Sequence, residues 1–226
     1  MLHRVRDTSA SMWSTPVDLY CERTDPSFWA EPLNALSNAA FLIAAAFAYR
    51  DWQRRRDDIA ALLLIAVTVV VGLGSFAFHT LATRGAVLLD IIPIALFIHG
   101  YLYVALRRYL GLGVVVSLVI VAAFFAFTQG LTSVLPRGLL NSSVGYLPAL
   151  AAMLVVGLIV PAAATRRALL GAAAVFAVSL TFRTIDLTVC PSIPLGTHAL
   201  WHVLNAVVLS LLLRAVIQAP QRYQLP

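Results

Sequence analysis

The sequence predicts an all-α integral membrane protein, a seven-transmembrane helix bundle with its N-terminus outside and its C-terminus cytoplasmic. Three observations carry that prediction. The 226 residues are 61% hydrophobic and 12% charged, whereas soluble domains carry roughly 45–50% apolar and about 25% charged residues. The apolar residues gather into about seven runs, each near the ~20 residues that span a bilayer. The basic residues form short clusters on alternate connections, the pattern of cytoplasmic loops. The net charge of +6 therefore reports membrane orientation, and nucleic acid is excluded as a partner.

Taken in order, residues 1–30 (MLHRVRDTSASMWSTPVDLYCERTDPSFWA) are polar and turn-rich. They lack the apolar core of a signal peptide, which predicts an extracytoplasmic segment and a first helix that acts as its own insertion signal. The membrane domain spans 31–217. Its helices are expected at roughly 32–50, 59–79, 86–106, 112–128, 144–163, 168–185 and 197–217. The fourth is expected to be the shortest, followed by a longer connection, FTQGLTSVLPRGLLNSSVGY, in which Gly and Pro mark turns. Residues 218–226 form a cytoplasmic tail.

Ten arginines set the orientation: Arg50, Arg54, Arg55, Arg56, Arg107, Arg108, Arg166, Arg167, Arg214 and Arg222 all fall on one side. Arg84 and Arg137 lie opposite, with Arg4, Arg6 and Arg23 in the N-terminal segment. The positive-inside bias places the larger group in the cytoplasm. Abundant Arg, Ala and Val with no Lys is the composition of a GC-rich bacterial genome, which predicts a multi-pass protein of the bacterial inner membrane.

With orientation set, the polar residues can be placed by depth. Ser75 and His79 lie near the outer end of the second helix, and Asp90 about one turn inside the third. Arg183 and Asp186 close the sixth helix, His198 and His202 open the seventh, and Glu31, Asn34 and Asn38 open the first. Polar groups from five helices thus converge at the outer face, and ionisable residues within a membrane mark function by default.

Taken singly, each has a plain structural role. His79, His198 and His202 can sit at headgroup level, Asp90 can pair with Arg84, and Ser75 can bond back to its own helix. Arg183 and Asp186, three apart, are expected to form a structural ion pair. Together, the three histidines match the ligand set of an open catalytic zinc site. Asp90 at that depth can accept a proton from water, and Ser75 lies one turn before His79 on the same face. His99 lies deeper and is read as a core histidine, and His3 lies in the N-terminal tail. Cys21 and Cys190 belong to no Cys/His zinc pattern.

SFAFH (75–79), Asp90 and HALWH (198–202) together resemble the S-x₃-H … D … H-x₃-H pattern of the alkaline ceramidases. These are seven-helix zinc hydrolases of the superfamily that includes the adiponectin receptors. YCER (20–23) and FWAEPLNALSN (28–38) are similar to that family's N-terminal segment, and Cys190 to its second cysteine, so the likeness covers roughly 18–210. The resemblance implies zinc on His79, His198 and His202. It implies Asp90 as the group that deprotonates the attacking water and protonates the leaving amine, with Ser75 positioning water or oxyanion. It also implies a Cys21–Cys190 disulfide, and the orientation above puts both cysteines outside, where disulfides persist.

The family's N-terminal calcium site is matched only in part. Glu22 and Glu31 are in place, but Leu19 stands where an Asp is expected, Asp18 is displaced by one, and Thr24 replaces an amide. Asp18, Glu22, Asp25 and Glu31 either supply hard oxygen ligands to calcium or form a solvated acidic loop capping the first helix.

The implied activity is zinc-dependent hydrolysis of the N-acyl amide of a ceramide-like membrane lipid to a sphingoid base and a fatty acid. Two other readings remain: a metal-containing seven-helix lipid receptor or sensor without turnover, and a proton channel or transporter. The inner helix halves are almost purely Ala, Val, Leu and Ile apart from His99, which places the channel last. Oligomeric state is not legible.

Overall fold

The computed structural model describes residues 12–54, 56–136 and 138–219. Among them the chain is helical, with one isolated bridge, between Pro16 and Thr83. We number the helices α1 (Pro32–Trp52), α2 (Ile59–Leu81), α3 (Arg84–Arg108), α4 (Val114–Val134), α5 (Ser143–Ile159), α6 (Ala163–Val189) and α7 (His198–Gln218). Helix is the structure such runs adopt in lipid, because each backbone polar group is satisfied within its own segment.

Six of these helices are long and apolar enough to cross a membrane, and α5 is a shorter apolar helix. The expected lengths are therefore corrected at one place. The fourth segment continues through FTQGLTSV to Val134, and the fifth is the short one. Proline sets both ends. Leu135 before Pro136 and Val160 before Pro161 are extended, as residues before proline prefer. The sixth segment also exceeds its expected bounds at both ends, which brings Arg166, Arg167 and Asp186 inside α6 along with Arg183.

Local chemistry places the remaining boundaries. Asp58 accepts a hydrogen bond from the Ala61 N–H and starts α2, and Thr83 does the same for α3 through Ala86. In α1, the side chains of Ser37 and Asn38 both donate to the Asn34 carbonyl and interrupt the helix at Asn38.

Helix α7 is central, packed on α1, α2 and α6, and more than half of its apolar window is buried. Helix α4 is peripheral, touching α3 and the start of α5, and it presents Val115, Leu118, Val119, Phe125 and Phe127 outward. That apolar surface faces lipid in a multi-pass membrane protein.

One close approach positions the site. A Cβ on Gly74 would collide with the Leu89 carbonyl, so α2 and α3 touch there and bring Ser75 beside Asp90. The N-terminal segment crosses this end of the bundle. Val17 N–H donates to the Ala82 carbonyl at 2.8 Å, Arg84 N–H to Thr15 at 3.0 Å, and Cys21 is disulfide-bonded to Cys190.

Candidate metal centre

His79 lies in the last turn of α2, His198 opens α7, and His202 follows one turn later on the same face. All three are buried, and one nitrogen from each lies within 4.8 Å of the others. Among the described residues this is the one group of three His, Cys, Asp or Glu side chains arranged to hold a metal.

Outer partners fix the rings. His79 Nδ1 lies 2.6 Å from Glu31 Oε2 and donates to it, leaving Nε2 buried without a partner. His202 Nδ1 lies 2.7 Å from Ser37 Oγ. Ser37 commits its own proton to the Asn34 carbonyl, so its oxygen accepts from His202 and frees Nε2 on that ring too. His198 Nδ1 is also buried and unpartnered. Buried nitrogen lone pairs rarely go unsatisfied. Two such nitrogens in a cluster of three buried imidazoles, with a carboxylate and a hydroxyl behind two of the rings, fit a tetrahedral metal with an open position.

His198 is also held from outside. Asp186, fully buried on α6, accepts from the backbone N–H groups of Thr197 (2.6 Å), His198 (2.9 Å) and Cys21 (3.0 Å). One carboxylate thus caps α7 from another helix and ties down the disulfide-bearing segment. Gly196, with φ of 65°, makes this possible, because a Cβ there would meet Asp186 Oδ1 and Cys21 Cβ. Tyr20 closes the assembly, its ring stacked on His198 at 3.6 Å between centroids. Burial pushes the Tyr20 hydroxyl above its ordinary range, so it stays neutral.

The expected Arg183–Asp186 ion pair is corrected. Spacing of three puts both residues on one face, but Asp186 turns to the α6–α7 loop. Arg183 instead donates to the Asn141 carbonyl (2.6 Å) and Ser143 Oγ (2.9 Å) and lies over Tyr146 and Trp201. It thereby braces a turn in which Leu140, Asn141 and Ser142 all take positive φ.

The calcium expectation is also corrected. Asp18 and Asp25 are exposed, and Asp25 Oδ1 accepts from Ser27 N–H. Glu22 is buried with both oxygens engaged, accepting from Leu33 N–H (2.6 Å) and Asn34 N–H (2.8 Å) at the start of α1. Glu31 lies between His79, Asn34 and Arg23. Burial opposes the charge on Glu31, but these hydrogen bonds hold its carboxyl below the ordinary glutamate range. Glu22 caps α1 and Glu31 serves His79, while Asp18 and Asp25 stand apart at the surface; this arrangement does not fit a calcium ion. The capping half of the alternative reading holds, although the two glutamates that do this work are buried.

Beside the histidines, Ser75 and Asp90 line one end of a cavity of about 210 Å³ with His198 and His202. Asp90 Oδ1 is buried and without a partner. Arg183 and Tyr146 also face this cavity, and its far wall is apolar, formed by residues such as Ala105, Leu169 and Leu212. Trp201 packs edge-on to Tyr146 and lines the cavity, which settles its place. His99 stands apart, half-buried, its Nδ1 bonded to the Ala95 carbonyl at 2.7 Å and its ring against Phe124 and Phe125.

Sequence reasoning missed Ser37, Tyr20 and Arg23 as neighbours of the histidines. Only the depth of Glu31, Asn34 and Asn38 hinted that α1 joins the site.

A search among curated proteins finds no match. The family model described as Ceramidase matches residues 20–224, which contain every residue of the site. The chain belongs to the ceramidase family, and is accordingly a membrane-embedded amidohydrolase acting on ceramide-like amide bonds.

Proposed function

We propose that the chain is a zinc-dependent hydrolase that cleaves the N-acyl amide of ceramide-like lipids, with His79, His198 and His202 as the zinc ligands. The observation that carries this reading is the convergence of three buried imidazoles, two of them anchored by outer partners, beside a carboxylate with one open oxygen at one end of an apolar cavity. Zinc supplies Lewis acidity there, polarising a carbonyl and lowering the pKa of a water.

The chain's own residues supply the rest. The apolar walls of the cavity take an acyl chain and direct the amide toward the histidines. Asp90 accepts the proton lost by the attacking water and delivers it to the amine nitrogen as the C–N bond breaks. The water oxygen stays with the fatty acid, and the free amine leaves on the sphingoid base. Ser75, beside Asp90, donates a hydrogen bond that orients the water or the developing oxyanion. A receptor or sensor needs the histidines but has no use for a proton acceptor beside them, so Asp90 favours turnover.

The reading extends to placement. All seven helices cross the membrane, with residues 1–30 outside, 31–217 in the bilayer and 218–226 in the cytoplasm; the last segment lies almost wholly outside the described residues. The site then opens toward the periplasm or exterior at headgroup depth, where a lipid amide sits.

Metal analysis of the purified protein, paired with an assay over a panel of N-acyl lipids, tests the proposal. We expect about one zinc per chain, and loss of both zinc and turnover in His79→Ala, His198→Ala and His202→Ala. Full activity in a metal-free triple variant overturns it.

A further inference from the structure

We infer that Arg23 is a built-in cation that replaces calcium in this chain and serves as a positioning residue for the metal centre. The inference rests on the metal-centre reading above and adds to it the part of the chain that holds His79 in place.

Arg23 is buried at 8% exposure, and its neighbour Glu31 at 2%. A buried guanidinium is stable only where its donors meet oxygens, and here they meet four. Nε donates to Glu31 Oε1 at 2.5 Å, Nη1 to the carbonyls of Asp25 (3.1 Å) and Ser27 (3.4 Å), and Nη2 to the carbonyl of His79 (2.9 Å). One carboxylate and three backbone carbonyls are the oxygen types that would surround a hard cation. The guanidinium gathers them instead, its planar fork of donors matched to several oxygens at once.

The consequence for the site is geometric. Arg23 reaches His79 twice: directly at its backbone carbonyl, and through Glu31 at its ring nitrogen. It neutralises the carboxylate that orients the imidazole and pins the helix end that carries it. A covalently attached cation makes this support permanent, whereas calcium would make it depend on the surrounding ion concentration. The acids that the family resemblance assigns to calcium are either exposed or engaged elsewhere, as described above. Leu19, standing where an Asp was expected, is exposed and its side chain supplies no oxygen.

The experiment reads metal retention and not lipid turnover. Cobalt(II)-loaded protein reports the ligand field through its visible spectrum, and zinc-loaded protein reports release to a chromogenic chelator. For the wild type we expect no bound calcium by metal analysis, and no change in either readout on adding calcium chloride. Arg23→Gln is expected to release zinc about 10–100-fold faster and to shift the cobalt spectrum, as loss of an outer-shell partner does. Arg23→Lys keeps the charge without the fork and is expected to fall between the two; it also carries the test if Arg23→Gln fails to fold.

Stoichiometric calcium that slows zinc release in the wild type overturns the inference. So does a folded Arg23→Gln with wild-type release and spectrum. A wild-type chain that takes up neither cobalt nor zinc refutes the metal centre itself. A chain that binds metal but is indifferent to Arg23 refutes this inference alone.

Discussion

The two ends of the bundle both bury charge, and they treat it in opposite ways. At the end carrying the α1–α2 turn, Asp58 receives Arg108 on both carboxylate oxygens at 2.7 and 2.8 Å while also starting α2. Arg108 donates further to the Val216 carbonyl, and Trp52 Nε1 to the Asp58 carbonyl. No oxygen of that carboxylate is idle. At the other end, His79 Nε2, His198 Nδ1 and Asp90 Oδ1 are buried and unpartnered, as are the side-chain oxygens of Asn34 and Asn38, although Glu31, Ser37 and Asp186 beside them are closely bonded. A saturated cluster fastens helices together; a cluster of open groups held in place by bonded neighbours is built to receive something.

The largest expected contrast comes from Asp90→Asn. If the unsaturated end is catalytic, this variant keeps its metal and loses about 10²–10⁴-fold in turnover, the usual weight of a positioned acid–base group. Retained turnover in Asp90→Asn would reduce the site to a metal clasp and erase the distinction between the ends.

Arg108→Met probes the saturated end. It leaves Asp58 buried without its cation, and we expect a loss of about 3 kcal/mol in stability, toward the low side for a broken buried pair because Arg108 retains some exposure. Metal content per folded molecule should match the wild type. Thermal unfolding alongside metal analysis separates the two, and selective metal loss without destabilisation would contradict the structural role.

Ser75→Ala should give the smallest effect. One hydrogen bond is worth about 0.5–1.5 kcal/mol, or roughly 2–13-fold in rate. We expect that loss in kcat/KM with metal content and unfolding temperature unchanged. A fall in metal content would move Ser75 from the reaction to the ligand shell.

Much of this organisation is legible in the residues. Long apolar runs become helices because lipid offers the backbone no other partner, so the segments are readable to within a few residues except where proline reset α4 and α5 and where α6 runs past both expected ends. The i, i+4 spacing of His198 and His202 places both rings on one face. The depth argument brings His79, Asp90 and Ser75 to the same end. Harder to read are contacts set by long side chains reaching across the fold. Arg183 and Asp186 are three apart, and spacing alone pairs them; only the fold brings the N–H groups of Thr197 and His198, past Gly196, and that of Cys21 from the N-terminal segment to outbid the arginine. Glu22 and Glu31 look like cation ligands until Arg23 and the start of α1 are seen to occupy their oxygens.

By itself, then, the sequence determined an all-helical membrane protein with three histidines, a carboxylate and a serine at one end, because hydropathy and helical period act locally. Only the tertiary structure decided which polar atoms are satisfied and which remain open. Satisfaction depends on where a donor arrives from a distant part of the chain, and in a low-dielectric interior that arrival decides whether a buried group fastens the fold or serves the site.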